Sequence, residues 1–214
     1  WVALPGYSFY IVRGVAVWQN KYYIVNWDWT RGVDVLVEWN GQGWTELLSR
    51  RFLTESVVAN DRGVYLAGVS TNISEFQWAG TVWHWDGTNW TINPRYFLGT
   101  IYGAFASGND LYVASRVPEI TQTGTQISRW DGTNWFDYPV LPGLAYRSLL
   151  TMFNGHLHVG TRLGEGPLEI VRWDGQWTTL SSLDFNDGGL LAMTGTTNGL
   201  YVGGIFEPST STYG

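Results

Sequence analysis

The residues best equipped for chemistry are three histidines, His84, His156 and His158, and three aspartates that each precede a glycine, Asp86, Asp131 and Asp174. A His-x-His pair puts both imidazoles on one side of an extended strand, a geometry that suits two ligands of one metal ion. No third ligand can be identified, and His158 occupies a place where tyrosines stand elsewhere in the chain, so packing is the expected role. The aspartates return at a fixed interval. A catalytic acid is needed once, whereas an acid repeated before every Gly is turn chemistry: its carboxylate accepts nearby backbone N–H groups and Gly takes positive φ.

The elements that hold these residues are repeats. The string VWHWDGTNW (residues 82–90) returns as ISRWDGTNW (127–135), as IVRWDGQW (170–177) and, worn, as LVEWNGQGW (36–44). Trp39, Trp85, Trp130 and Trp173 recur about every 45 residues, a period typical of propellers and solenoids. Each repeat divides into four short runs with Asn, Asp and Gly at the turns, which reads as antiparallel hairpins. The second run is seen at 22–26, 64–68, 111–115, 157–161 and 200–204. No segment has a helical period or a capping box.

The fold class is therefore all-β: a β-propeller of five four-stranded blades, spanning residues 1–214 as a single domain. Residues 1–5, from Trp1 to Pro5, resemble the start of a fourth strand and are expected to close the ring against the last blade. A slice of a longer array is the alternative. Small residues in the first strands, such as Gly14, Ala16, Gly103 and Ala104, suit the crowded axis. The paired motif tryptophans are expected to stack across each outer hairpin.

Composition narrows the function. The chain carries a net charge of -6 with 12 Lys and Arg, and it lacks the basic stripe that nucleic-acid binding requires. No apolar run approaches the roughly 20 residues of a membrane-spanning helix. With no cysteine, disulfides and thiolate sites are excluded. The acids outside the turns, including Asp28, Asp34, Glu55, Glu169 and Asp187, are spread over all repeats, with none expected in a first strand near the axis. Neither a nucleophile elbow nor a phosphate loop is present. We expect no catalytic residue, metal or cofactor.

What remains is recognition. Loops between second and third strands, and between blades, are expected at 27–33, 71–80, 117–124, 49–55, 94–99 and 141–147, among others. They gather aromatic and arginine side chains on one face, the residue types that anchor interfaces. The candidate ligand-binding residues are Trp27, Trp29, Trp78, Tyr10, Arg51, Arg95, Tyr96, Tyr146 and Arg147.

The pairing of LYVGG with RWDGxxW, carried by residues 200–204, 111–115, 127–135 and 170–177, resembles the kelch-like repeat propellers of bacterial secreted proteins and fungal cell-surface proteins. That resemblance implies an adhesion or scaffold role, an extracellular, cell-surface or virion-surface location, and no chemistry. A fainter likeness is to fucose-binding lectin propellers, carried by Glu38 and the turn from Trp39 to Trp44. It implies a sugar site between blades made by an Arg, a Glu and a Trp. The Arg is absent from the second strands here, and His84, Arg129 and Arg172 replace Glu38 in the other repeats, so at most one such site is implied. The expected function is a non-catalytic binding module whose partner is a protein or a surface glycan, with a lectin as the alternative and a glycoside hydrolase behind it.

Overall fold

The structure, a computed structural model, describes residues 7, 11–70, 79–117, 124–142, 148–162, 167–183 and 189–205. Alternating side chains and Asn/Gly turns make successive runs fold back on one another. Blade I is β1 (Ile11–Trp18), β2 (Lys21–Asp28), β3 (Val33–Trp39) and β4 (Trp44–Arg50). Blade II is β5 (Phe52–Asn60), β6 (Gly63–Ser70), β7 (Ala79–Trp85) and β8 (Trp90–Ile92), with β9 (Phe97–Leu98) resuming its outer edge. Blade III is β10 (Ile101–Ser107), β11 (Asp110–Arg116), β12 (Gly124–Trp130) and β13 (Trp135–Asp137), with β14 (Leu141–Pro142) doing the same. Blade IV is β15 (Ser148–Phe153), β16 (His156–Arg162), β17 (Leu168–Trp173) and β18 (Trp177–Leu183). A last hairpin pairs β19 (Gly189–Thr196) with β20 (Gly199–Ile205). Each blade is an antiparallel meander in sequence order, and no helix occurs among the described residues.

The core lies between blades. Ala16, Trp18, Tyr23, Val25 and Leu36 of blade I meet Val57, Val64, Leu66 and Trp83 of blade II. Tyr65, Ala67 and Val82 meet Ile101, Leu111 and Val113 at the next seam, and Tyr112, Ala114 and Ile127 meet Leu150, Leu157 and Val159 at the third. One sheet cannot cover both of its faces, so stacking buries each apolar side in turn, at roughly 1.5–3 kcal/mol per fully buried large aliphatic or aromatic side chain.

The innermost strands β1, β5, β10, β15 and β19 pack in that order and line a central cavity of roughly 790 Å³. Among the described residues the ring is not closed. Val15 and Val57 hold the same place in their blades, opposite Ile24 and Leu66, yet Val57 is 7% exposed and Val15 53%. At the other end Tyr201, the counterpart of buried Tyr65, is 55% exposed. The described residues thus hold four complete blades and two strands of another. The expected closing strand, residues 1–5, lies outside them.

Several sequence expectations need correction. Residues 49–55, expected as a loop, are strand except at Arg51. Residues 97–98 and 141–142, also expected in loops, return to pair with β7 and β12, because the outer strand bulges and then resumes. Glu55, expected away from the axis, stands in the innermost strand β5 and lines the central cavity.

Candidate functional site

The repeated hairpins behave as turn chemistry. Asp86 Oδ1 accepts the Thr88 and Asn89 N–H groups at 2.8 and 2.7 Å, and Asp131 does the same for Thr133 and Asn134. These backbone donors hold both carboxyls below the usual carboxylate range. Gly87, Gly132 and Gly175 all have φ near +100°. The tryptophan pairs are in contact but tilted rather than stacked as expected, with centroids 5.1 Å apart and planes at 47° for Trp39 and Trp44, and 5.3 Å and 35° for Trp85 and Trp90. In blades II to IV the second tryptophan of the pair also reaches the preceding blade, which the sequence did not suggest. Trp90 Nε1 donates to Leu47 O, Trp135 Nε1 to Asn93 Oδ1 and Trp177 Nε1 to Pro139 O.

His158 is buried opposite Arg172, in register with Tyr23 opposite Glu38, Tyr65 opposite His84 and Tyr112 opposite Arg129. Its ring packs on Phe153, and Nδ1 meets the His156 carbonyl. No cluster able to hold a metal ion is found among the described residues. Burial lowers the His158 pKa, the nearby Arg172 charge adds to this, and the His156 carbonyl opposes it. A histidine that resists charging when folded contributes stability that is complete above about pH 6.5 and is lost as pH falls towards the folded pKa. His158→Tyr, which restores the residue of the other blades, should flatten the stability profile below about pH 6.5. Its cost at pH 8 should be no more than about 1–3 kcal/mol. Urea melts across pH 5–8 (about that range) check this, and an unchanged acid-side slope would refute it.

The candidate binding residues that are described, Trp27, Trp29, Arg51, Arg95 and Tyr96, stand at separate places. Trp27 and Trp29 come together at the β2–β3 turn of blade I, with perpendicular rings and centroids 6.0 Å apart. The Arg13 guanidinium sits over Trp27 at 5.4 Å and pairs with Asp34. That pairing is a charge contact at 3.0 Å, off the hydrogen-bonding direction at Asp34 Oδ1. Burial pushes the Asp34 carboxyl up, against the Thr54 N–H and the Arg13 charge. Trp29 is 64% exposed. The turn beneath it is tied down from several sides. Asp28 Oδ1 accepts Thr30 N and Oγ1, Asp28 Oδ2 accepts Arg31 Nε at 2.6 Å, and Arg31 forks onto both Glu46 oxygens at 3.0 Å each. The Thr30 and Arg31 bonds hold the Asp28 carboxyl well below its usual range.

Arg51 is exposed in the single-residue link between β4 and β5. Arg95 lies in the outer-strand bulge rather than on the loop face. It forks onto Asp137 of blade III at 2.8 and 3.1 Å and lies against Phe97 and Trp135, an inter-blade clamp. Tyr96, beside it on the rim, is exposed. Tyr10, Trp78, Tyr146 and Arg147 lie outside the described residues. Sequence reasoning missed Lys21: its Nζ holds Glu38 Oε1 at 2.9 Å while Tyr23 OH donates to Oε2 at 2.8 Å. The only sequence signal was Glu38 itself, in the turn shared with the lectins.

No protein-family model matches the sequence, and no curated protein matches it. Solved structures do. The β-propeller domain of the Trilobed protease from Pyrococcus furiosus is 12% identical, with TM-score 0.60 over 87% of this chain and 62% of that one. SapL1 lectin in complex with α-methyl fucoside is 14% identical, with TM-score 0.61 over 89% of this chain and 70% of that one. The six-bladed Aleuria aurantia lectin is 15% identical, with TM-score 0.55 over 88% of this chain and 66% of that one. Identities this low speak to fold alone. The chain has the β-propeller fold, and it spans less than two thirds of the length of the Pyrococcus furiosus domain.

Proposed function

We propose that this chain is a non-catalytic β-propeller that binds glycans at an exterior surface, through the Trp27–Trp29 corner of blade I. The observation that carries the reading is Trp29, a large apolar ring left 64% exposed on a turn fixed by Asp28, Arg31 and Glu46. An exposed indole offers a flat apolar face to the C–H side of a sugar ring. The carboxylates and guanidinium around it suit ring hydroxyls. Propeller lectins among the structural neighbours agree with this reading, although propeller domains of peptidases are neighbours too. Arg51 and Tyr96 belong to the proposal as further contacts, and Tyr10, Trp78, Tyr146 and Arg147, which lie outside the described residues, belong to it by sequence alone. A glycan array combined with tryptophan fluorescence tests the reading. We expect saturable quenching by at least one glycan, and no response at millimolar ligand would overturn it.

Five-blade closure within a single domain belongs to the same proposal. The tryptophans of blades II to IV donate to acceptors 43, 42 and 38 residues earlier. The same interval counted back from Trp44 falls on residues 1–6. Tyr7 rests against Trp44 with centroids 5.6 Å apart, on the side of blade I where a preceding blade would sit.

A further inference from the structure

We propose a second binding site, in the seam between blades II and III, for a sugar that carries a carboxylate. It deepens the glycan-binding reading but stands on different residues. A cavity of roughly 270 Å³ opens there, lined by Arg62, Tyr65, His84, Ile92, Asn93 and Trp130, among others. That lies just below the usual range of about 300–1,000 Å³ for drug-sized ligands, so it suits one sugar ring rather than a chain.

The cavity has a local cause. At the seam between blades I and II, Trp18 ends β1 and lies over the hairpin glycine of the next blade, its Cη2 only 3.1 Å from where a Gly87 Cβ would be. Asn60 holds the same strand-end place in blade II: Trp18 pairs with Lys21 as Asn60 pairs with Gly63. An amide replaces an indole, and the space opens. Arg62 then crosses the gap and donates from Nη2 to the Asp131 carbonyl at 2.8 Å, lying flat on Gly132.

Charge selects the ligand. None of the lining residues is acidic, on a chain whose net charge is -6. The neighbouring Asp131 carboxylate turns Oδ1 to the N–H groups of Thr133 and Asn134 and feels the Arg62 charge without pairing with it, so Arg62 keeps guanidinium donors beyond its one carbonyl bond. His84 stacks on Tyr65 at 4.5 Å and sets Nε2 against the Arg62 carbonyl at 3.1 Å, which fixes the ring in place. The exposed side chain of Ile92 and the ring of Trp130 supply apolar walls. A guanidinium at one end and apolar walls beside it match a pyranose with an exocyclic carboxylate, the shape of a hexuronate. In the first seam the equivalent of His84 is Glu38, which pairs with Lys21, and Trp18 lies over Gly87, so that seam offers neither the room nor the charge.

The test compares methyl β-D-glucuronide with methyl β-D-glucoside by calorimetry on the whole chain. The glucuronide should bind at least about tenfold more tightly, as expected of one charge-assisted fork. Arg62→Gln should abolish that preference, Arg62→Lys should keep part of it, and Trp29→Ala, which weakens glycan binding at the corner, should not lower it. Equal affinity for the two glycosides, or a preference that survives Arg62→Gln, would overturn the site. Loss of the preference in Trp29→Ala would place the carboxylate at the blade I corner instead, and so overturns it too. A chain that binds neutral glycans but not the glucuronide loses this site and keeps the proposed function. One that binds only the glucuronide keeps the seam and loses the corner.

Discussion

Gly103→Ala should destabilise the protein by about 3 kcal/mol, the upper end of the cost of adding a methyl to a filled interior. For a chain of this size that is a loss of about 6–12 °C in melting temperature. Gly103 lies in β10, the innermost strand of blade III. A Cβ there would fall well inside van der Waals contact of the Ser148 carbonyl oxygen on β15, the innermost strand of blade IV. The obstacle is backbone, so no side-chain rotation relieves it, and the two strands must separate along the seam built from Tyr112, Ala114, Leu150 and Val159. Gly155→Ala is the control. Gly155 has φ +76° with open space around it, so alanine meets only left-handed backbone strain, about 1–2 kcal/mol. Urea melts of the two variants separate the effects. A Gly103→Ala protein no weaker than Gly155→Ala would mean that the two blades do not approach so closely.

The same pair of glycines shows how far the sequence could be read. Gly155 follows Asn154 at a hairpin, and both have positive φ, a local requirement that a turn pair announces. Asp86, Asp131 and the paired tryptophans were legible for the same reason: their partners lie within a few residues. The tyrosine place taken by His158 was legible from the repeat alone. Gly103 was visible only as a small residue. That its hydrogen faces a carbonyl of the next blade depends on a contact 45 residues away (|i−j| about that of one repeat). Arg95 was misplaced for a related reason. Nothing local says that the outer strand of blade II bulges and resumes at Phe97, yet that bulge turns Arg95 onto Asp137 of the next blade. Lys21 escaped notice because its meaning rests on Glu38, across a strand pair. Local turn chemistry and period were readable, whereas side-chain pairs that cross strands or seams were not.

Trp29→Ala should weaken glycan binding by at least about tenfold, since tryptophan anchors of small sites commonly contribute 2 kcal/mol or more and 1.4 kcal/mol is a factor of ten. The variant should still melt within about 0.5 kcal/mol of the parent, because truncating an exposed side chain leaves no cavity. This separation of binding from stability is the informative part. Trp27, half-buried beneath Arg13, cannot offer it: removing Trp27 takes away both the ring that contacts Trp29 and the surface on which Arg13 rests. Arg31→Lys sharpens the reading. It keeps the charge but loses the fork onto Glu46, so the turn should loosen and binding should weaken without any change at the indole itself. If Trp29 is the platform, affinity falls in both variants, and furthest in Trp29→Ala. If affinity falls only in Arg31→Lys, the ligand is held by the polar ring of Asp28, Arg31 and Glu46, and the indole is incidental. Isothermal titration with the best glycan from the array, run beside a thermal melt of each variant, distinguishes the two outcomes.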